Sequence, residues 1–349
     1  MKVDWWLVTP VILLSILGAI ITRSIAPDLL FFQLAFMVAS ALAFIIFSTV
    51  GHEILSTFVI PLYIVSLISL TLPFLFGVQT RGAHRWVQIA GVSLQPSEIT
   101  KPFFLLAFAQ LAKSRSKFRS IYLVGSLILP GFIIFLQPDL GTTLVLFVGW
   151  LVALSSRLSL KSIAITTLIL LLFIPISLLF LKPYQKDRLL TFVNPALDPL
   201  GKGYHVIQSI IAAGSGQMTG RGLGQGTQSQ LRFLPEYHTD FIFASLSEEL
   251  GFLGGAITIL LFSQVLRRIY QISQIAKDAS TAVFSLGSLA MLTFQIFINI
   301  GMNIGLAPVT GITLPFISYG GSSLLSTAVL LGIVNSISTD IIKPYGSHN

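Results

Sequence analysis

Long apolar runs separated by short polar connections dominate the chain. Each run is close to the roughly 20 residues that an α-helix needs to cross a bilayer core, and none shows the alternation typical of a membrane β-barrel strand. The pattern predicts an all-α integral membrane protein with about ten transmembrane helices in a single polytopic domain, residues 1–349. The predicted spans are 5–25, 29–50, 54–76, 96–113, 120–137, 141–156, 161–181, 246–268, 281–305 and 315–339.

The composition supports this interpretation. Mean hydropathy is +0.87, hydrophobic residues make up 54% of the chain and charged residues only 10%. A soluble domain of this length does not need so much apolar surface with so few charges. The chain has no cysteine, which excludes disulfides, a thiolate nucleophile and a cysteine-bound metal. The net charge of +8 is spread over many loops without an aromatic-interleaved basic patch, so it does not indicate nucleic-acid binding.

The charged residues of the loops orient the predicted spans. Basic clusters at 113–119, 157–161 and 267–277 fall on the side that holds both termini, which the positive-inside rule makes cytoplasmic. The acidic residues fall mostly outside or at the outer membrane boundary. Since a scaffold would not need this asymmetry, we predict a site that faces outward. The acidic residues placed on the cytoplasmic side are Asp4, Glu53, Asp278 and Asp340.

Three segments on the predicted outer side are more than simple connections. They are an outer loop at 77–95, a large outer loop at 182–245 between spans 7 and 8, and a Pro- and Gly-rich segment at 299–323. Loops this long are usually functional or disordered, and an apolar patch at 206–213 suggests that part of the large loop lies on or dips into the interface. Non-helical backbone at membrane depth must line a cavity or be buried in protein. The expected cavity-lining residues are Pro308, Gly311, Pro315, Ser318 and Gly320.

The stretch Leu231–Gly255 holds the densest group of titratable side chains, where a polar loop gives way to an apolar run. Ionisable groups at such a boundary are costly unless paired, and they often mark functional sites. Asp240 is the leading candidate, with His238 close by. The structural alternative is helix capping. Ser245 and Glu248 fit a capping box that opens the next helix, and Asp240 could cap a short helix before it.

Two further acids follow a Gln-Pro pair at the outer ends of predicted spans. Glu98 and Lys101 are three residues apart on one helix face, so they form either a local ion pair or part of a site. Asp139 is either a supporting acid, like Glu98 and Glu248, or the cap of the following helix.

Basic side chains on the predicted outer face are suited to a phosphorylated ligand, and arginine fits bidentate phosphate contacts better than lysine. The alternative for the set is attraction to anionic lipid headgroups, which needs no fixed geometry. Trp86 could likewise be only an interfacial tryptophan. The candidates for anion binding are Arg81, Arg85, Trp86, Lys101, Arg188, Arg221 and His238.

A series of motifs between about residue 80 and residue 323 gives the chain a resemblance to a known family. The chain resembles the SEDS family of shape, elongation, division and sporulation proteins, of the RodA and FtsW type, and its compact length is more like that of the elongation type. The motifs are Arg81-Gly-x-x-Arg85-Trp86, Gln95-Pro-Ser-Glu98-x-x-Lys101, Gln137-Pro-Asp139-Leu-Gly-Thr142, Leu234-Pro-Glu-x-His238-Thr-Asp240-Phe-Ile-Phe243 with Glu248-Glu-Leu-Gly251, and Pro308-Val-Thr-Gly311 with Leu314-Pro-Phe-Ile-Ser318-Tyr-Gly-Gly-Ser-Ser323.

The resemblance implies a peptidoglycan glycosyltransferase of the bacterial cytoplasmic (inner) membrane, with its active site facing outside. Its substrate would be lipid II, a disaccharide-pentapeptide carried on undecaprenyl pyrophosphate, and its partner a class B penicillin-binding protein that supplies the transpeptidase. The family's essential carboxylate maps onto Asp240. We expect a divalent cation, Mg²⁺ or Mn²⁺, with Glu98 or Asp240 as candidate ligands, and no organic cofactor.

The chemistry of the residues fits this role. Inverting sugar transfer needs one base to take the proton of the attacking hydroxyl, and pyrophosphate leaves readily once its charge is stabilised. Two alternatives remain at this point. Broken spans and intramembrane charges are also features of a transporter or lipid II flippase, and a non-catalytic cell-wall scaffold would tolerate neutral replacement of its carboxylates. Within the family, the alternative is an FtsW-like division polymerase.

Overall fold

The computed structural model describes residues 2–80, 83–89, 91–114, 116, 118–156, 186, 190–195, 198–199, 201 and 203–342. Helices make up most of this part of the chain. They are α1 (Trp5–Ile25), α2 (Leu30–Thr57), α3 (Val59–Phe76), α4 (Pro96–Ile99), α5 (Lys101–Lys113), α6 (Arg119–Leu136), α7 (Leu140–Ser155), α8 (Tyr204–Ser215), α9 (Thr227–Gln230), α10 (Ile242–Gln274), α11 (Ala279–Asn303) and α12 (Gly321–Ile342), with a 3₁₀ turn at Pro27–Leu29 before α2.

Within the described ranges, six helices are long and apolar enough to cross a membrane, and Ile121–Leu136 and Leu140–Ser155 are shorter apolar helices. The predicted spans at 5–25, 120–137, 141–156, 246–268 and 281–305 each overlap a single helix, namely α1, α6, α7, α10 and α11. The span predicted at 161–181 lies outside the described residues. The chain is thus an all-α, multi-pass membrane protein, and the total of about ten spans stays a prediction.

Two predicted boundaries were wrong, and a third coincides with a break in a helix. Gly51, with a φ of 77° and a ψ of 159°, is not helical and divides α2 where the predicted span ends, at residue 50, and a further helical piece continues to Thr57. The span predicted at 96–113 is two helices, because Pro102 has no N–H to bond the carbonyl of Glu98. The last span begins at Gly321, six residues later than the predicted 315, since Pro315 lies in a turn that runs into the final helix.

The outer loop at 77–95, predicted without strands, contains a small antiparallel sheet. Strands β1 (Gly77–Thr80), β2 (Ala83–Ile89) and β3 (Val92–Leu94) pair in the order β1-β2-β3. Gly91 has a φ of 80° in the tight turn between β2 and β3, a conformation that glycine adopts without strain. The strands are short, so hydrophobic alternation does not reveal them.

The ends of the helices define two faces of the bundle. The termini end holds the start of α1 and the end of α12, and the long-loop end holds the sheet, α8 and α9. At the termini end, Asp4 pairs with Arg268 of α10 at 2.8 Å, and its backbone N–H donates to Asn335 of α12 at 2.9 Å. The start of α1 is therefore tied to both α10 and α12.

A second ion pair at the termini end joins Lys113, at the end of α5, to Asp278 at 2.9 Å. Asp278 also caps α11 by accepting the backbone N–H of Thr281. Although partial burial raises it, the hydrogen bonds from Thr281 and Lys113 lower the pKa of Asp278 to about 2. The carboxylate form of Asp278 therefore stabilises the folded protein.

Helix α10 is interrupted at Gly251, whose φ of 67° and ψ of −165° are not helical. The segment 217–222 runs beside this break and bonds four of the backbone groups around it. Gly220 can lie there only without a side chain, because a Cβ would come within 2.1 Å of the Glu249 carbonyl oxygen. The four hydrogen bonds are Arg221 N–H to Glu248 O (3.0 Å), Gly222 N–H to Glu249 O (3.0 Å), Phe252 N–H to Gln217 O (2.8 Å) and Leu253 N–H to Met218 O (3.1 Å).

The apolar patch predicted at 206–213 forms most of α8. Val206, Ser209 and Ala212 are its buried residues, and the helix packs against α10 and α11. Ile210 and Ile211 remain exposed. The helix is thus docked on the bundle along one face, while an apolar face stays open for contact with the membrane interface.

Candidate functional site

Asp240 lies in the turn that leads into α10, and it is half-buried. The turn is closed by the carbonyl of Glu236, which accepts the N–H groups of Thr239 and Phe241, both at 3.1 Å. Phe241 is the N-cap residue of α10, and the Phe241 side chain makes no capping hydrogen bond. The prediction that Asp240 is an N-cap residue is therefore wrong by one position for α10.

The predicted capping box at Ser245 and Glu248 is also wrong, because α10 begins at Ile242 and both residues lie inside it. Ser245 donates instead to the carbonyl of Tyr237 at 3.1 Å. The apolar residues Phe241 to Phe243 extend the helix backwards, so the polar Ser245 does not mark its start.

The backbone of Asp240 is held by two asparagines of α11. Asn299 and Asn303 each donate an Nδ2–H to the carbonyl oxygen of Asp240 at 3.0 Å, and both side chains are fully buried. Sequence reasoning missed both residues. The available signal was a pair of amides four residues apart in an apolar span, where unpaired polar groups are costly.

Part of the predicted broken segment at 299–323 meets Asp240 and its neighbours. Residues 299–303 complete α11, whereas the stretch from 305 to 320 is non-helical. Ser318 Oγ donates to the carbonyl of Thr239 at 2.7 Å, and the N–H of Tyr319 donates to the carbonyl of His238 at 2.9 Å. The remaining predicted lining residues, Pro308, Pro315 and Gly320, lie in the same non-helical stretch.

Gly311 contributes the wall nearest to the Asp240 carboxylate. Its φ is 77°, and a Cβ on it would lie 3.7 Å from Asp240 Oδ2. Because glycine carries no side chain, the backbone of the broken segment comes close to the carboxylate, and Gly311 itself places no atom between that backbone and Oδ2. The imidazole of His238 lies between the rings of Tyr237 and Tyr319, with centroid distances of 5.0 Å and 5.8 Å.

A second polar group joins the starts of α4, α5 and α7. The predicted pair of Glu98 and Lys101 is confirmed, with Oε2 and Nζ 2.7 Å apart and Lys101 only 3% exposed. Thr142 donates its hydroxyl to Glu98 Oε1 at 3.2 Å and its N–H to Asp139 Oδ1 at 3.1 Å. The predicted cap of α7 by Asp139 is therefore confirmed, and Gln95 donates to its other oxygen at 2.7 Å.

The two groups contact the same broken segment. A Cβ on Gly141, at the start of α7, would lie 2.8 Å from the Ile312 side chain and 3.2 Å from the carbonyl of Thr310. Gly311, which lies between Thr310 and Ile312, approaches Asp240. The backbone N–H of Gln95 is tied to Ser322 Oγ at 2.8 Å. Residues 310–312 thus link Asp240 to the helix start that holds Asp139 and Thr142.

The predicted anion-binding cations are differently placed. Arg85 Nε donates to the carbonyl of Gln137 at 2.9 Å, and its guanidinium also contacts the carbonyl of Pro138, so it braces the turn between α6 and α7. Arg221 is exposed and donates to Ser215 Oγ at 3.2 Å. Trp86 is half-buried on β2. Arg81 and Arg188 lie outside the described residues, and contact of any of these residues with a ligand stays a prediction.

Glu248, predicted as a supporting acid, is fully buried against α9. Its Oε1 accepts the N–H of Gln228 at 2.7 Å, and its Oε2 accepts the N–H and hydroxyl of Ser229 at 3.0 Å and 2.8 Å. These are the contacts of a carboxylate that caps the start of α9 from another helix. The buried carboxylate of Glu248 thus anchors the large loop to α10.

Comparison with known proteins agrees with the motifs of the site. Residues 5–342 match the family model for FtsW, RodA and SpoVE, described as cell cycle proteins. The chain belongs to the FtsW/RodA/SpoVE family. The resemblance to SEDS proteins seen in the sequence is confirmed by this match.

The chain is similar to one curated protein and to two solved structures described here. The peptidoglycan glycosyltransferase MrdB of Escherichia coli K12 is 42% identical over 284 residues, which cover 80% of this chain and 77% of MrdB. A chain from a peptidoglycan synthase complex, solved to describe the coordination of polymerization and crosslinking, superposes with a TM-score of 0.83 at 32% identity, covering 98% of this chain and 99% of that one. The rod shape determining protein RodA of Thermus thermophilus gives a TM-score of 0.72 at 27% identity, covering 97% and 98%.

Proposed function

We propose that the chain is a peptidoglycan glycosyltransferase that polymerises lipid II into glycan strands during cell elongation. The observation that carries the proposal is a half-buried carboxylate, Asp240, which is fixed through its backbone and faces the glycine backbone at Gly311. The similarity to MrdB, itself named a peptidoglycan glycosyltransferase, supports the reaction class. MrdB and the superposable RodA favour elongation over the division role of an FtsW-like enzyme.

In this reaction Asp240 acts as the general base. It takes the proton from the 4-hydroxyl of the acceptor sugar while that oxygen forms a bond to the anomeric carbon of the donor. The bond between the anomeric carbon and the pyrophosphate oxygen breaks, and undecaprenyl pyrophosphate carries away the negative charge. The configuration at the anomeric carbon is inverted. Gly311 places no side chain of its own beside Asp240 Oδ2.

The leaving pyrophosphate needs positive charge nearby. Lys101 is a buried ammonium held by Glu98, so it is oriented before substrate binds. Arg81, Arg85, Arg188 and Arg221 belong to the outer loops, and we assign them the remaining phosphate contacts. Trp86 and His238 would pack against the sugar or lipid portion, since aromatic rings offer flat apolar faces.

The expected Mg²⁺ or Mn²⁺ fits Asp240 better than Glu98. Among the described residues, no three His, Asp or Glu side chains come together as metal ligands, and Lys101 already occupies the cation position at Glu98. Asp240 offers a single carboxylate, and Mg²⁺ is commonly held by one or two carboxylates together with substrate phosphates. When bound, the ion would stabilise the charge of the pyrophosphate.

We place the long-loop end outside the bacterial cytoplasmic (inner) membrane and the termini end in the cytoplasm. The basic residues Lys113, Arg267 and Arg268 at the termini end support this orientation through the positive-inside rule. The partner is a class B penicillin-binding protein that crosslinks the new strands. The similarity to a chain of a peptidoglycan synthase complex, whose subject is polymerization and crosslinking, supports such a partner.

The test uses purified protein reconstituted with lipid II and Mg²⁺ or Mn²⁺, with and without candidate transpeptidase partners. We expect glycan ladders from the wild type, none from Asp240→Asn, and normal ladders from Asp28→Asn. Asp28 is an exposed carboxylate at the same end of the bundle, so it is the matched control. Substantial turnover by Asp240→Asn would remove the assignment of the base.

The flippase alternative gives a different result in the same experiment. Interrupted helices such as α10 are common in transporters, but the polar groups described above meet at the long-loop end of the bundle. Lipid II that crosses the bilayer without any glycan product would favour the flippase. Ladders that persist after every carboxylate replacement would favour a scaffold that accompanies another polymerase.

A further inference from the structure

Two amide side chains on one face of α11 bind the same backbone atom. Asn299 and Asn303 are four residues apart, so they lie above one another on the helix. Each donates an Nδ2–H to the carbonyl oxygen of Asp240 at 3.0 Å, and each is 0% exposed. A carbonyl oxygen has two lone pairs. The two amides therefore use the full acceptor capacity of the Asp240 carbonyl.

Asn303 also fixes the start of α10. Its Oδ1 accepts the N–H of Ala244 at 2.8 Å, one of the first N–H groups of the helix, which have no partner within the helix itself. The N-cap residue Phe241 supplies no side-chain bond. The cap is thus provided by α11. The Asn303 amide fixes both the start of α10, through Ala244, and the backbone of Asp240 just before that start.

Asn299 connects the Asp240 backbone to the opposing wall. Its Nδ2 also donates to the carbonyl of Ile312 at 2.8 Å, next to Gly311, which faces Asp240 Oδ2. The carbonyl of Asn299 in turn accepts from Asn303 Nδ2 at 2.7 Å. The separation between the carboxylate and the broken segment is therefore set by a network that is anchored in a single rigid helix.

We infer that Asn299 and Asn303 are positioning residues for the Asp240 base, an inference that rests on the proposed glycosyl transfer. Their hydrogen bonds to Asp240 end on its backbone carbonyl and not on the carboxylate oxygens that take up the proton. Small displacements of a catalytic group reduce rates strongly, by about 10²-fold for about 1 Å. A clamp on the backbone holds the base in reach of the acceptor hydroxyl while its side chain stays accessible.

The experiment compares Asn299→Leu and Asn303→Leu with a matched control, Asn335→Leu. Asn335 is equally buried, accepts the Asp4 N–H at 2.9 Å and donates to Ser48 Oγ at 3.2 Å, but it lies at the termini end. Initial rates of lipid II polymerisation are measured against lipid II concentration and pH, together with melting temperatures in detergent. Asn303→Asp is included because it keeps an acceptor for the α10 start and loses the amide donors.

We expect kcat to fall by about 10²-fold in both α11 variants, with KM changed less than threefold and with a displaced acid limb of the pH profile. Asn335→Leu should lose melting temperature to a similar degree and keep the wild-type kcat and pH profile. Should Asn303→Leu fail to fold, a low kcat in Asn303→Asp gives the same answer.

The inference is overturned if the α11 variants keep the wild-type kcat, or lose no more activity than Asn335→Leu at equal loss of melting temperature. Failure of the proposed function has another signature. In that case the wild type makes no glycan, or Asp240→Asn keeps its activity, and the positioning role falls with it. If Asp240→Asn is inactive and the α11 variants are fully active, only the positioning role is rejected.

Discussion

Replacing Glu248 tests whether this buried carboxylate anchors the large loop. Glu248→Ala removes the acceptor of two backbone N–H groups, from Gln228 and Ser229 at 2.7 Å and 3.0 Å, and of the Ser229 hydroxyl. Each orphaned buried N–H costs about 1–3 kcal/mol. Water that reaches the two orphaned N–H groups would offset part of this cost. We therefore expect the 217–231 segment to lose about 3 kcal/mol of local stability. Ser229→Ala removes only the hydroxyl bond and should cost about 1 kcal/mol.

Hydrogen–deuterium exchange of the amides in 217–231 measures this local opening directly. A loss of about 3 kcal/mol corresponds to exchange that is about 10²-fold faster, because each 1.4 kcal/mol is a factor of ten. Glu248→Gln should fall between the other variants, since it keeps one acceptor oxygen. The amides of α12 serve as the internal reference and should not change. Unchanged exchange of 217–231 in Glu248→Ala would refute the anchoring role, as would a larger effect from Ser229→Ala.

Two shorter predictions concern the ends of the bundle. Gly311→Ala places a methyl group 3.7 Å from Asp240 Oδ2. The left-handed φ of 77° costs a residue with a side chain about 1–2 kcal/mol. We therefore expect slower glycan synthesis at normal expression, and wild-type rates would contradict this prediction. At the termini end, the pKa of Asp278 is lowered from 3.8 to about 2. Its contribution to stability is therefore complete above pH 3.8 and lost as the pH falls towards about 2. Melting temperatures from pH 6 to about pH 2 should show a smaller decline for Asp278→Asn than for wild type, and parallel curves would show that the group does not contribute.

Hydrophobic periodicity and local spacing predicted those features that depend on neighbours in sequence. The span predicted at 5–25 matches α1 residue for residue. The pair of Glu98 and Lys101 followed from a separation of three residues, and the cap by Asp139 from its place before a helix. In each case the interacting groups lie within one helical turn, so the sequence carries the geometry.

Contacts between distant segments were beyond the same reasoning. The Asp240 carbonyl and Asn303 are 63 residues apart in the chain, and nothing local to either predicts their hydrogen bond. The capping box at Ser245 failed because the apolar residues before it were free to become helical once another helix supplied the cap. Glu248 was taken for part of the chemistry, since a sequence does not show that residues 227–229 would surround it.

The interruption of α10 at Gly251 has a consequence for the way the protein is made. Hydrogen-bonding groups of the backbone are not tolerated bare in a hydrocarbon layer, and those around Gly251 find their partners in residues 217–222. That segment precedes α10 in the chain, so it leaves the ribosome first. Synthesis from the N-terminus therefore makes residues 217–222 before the backbone groups around Gly251 that they bond. These hydrogen-bond partners are already present when α10 is made.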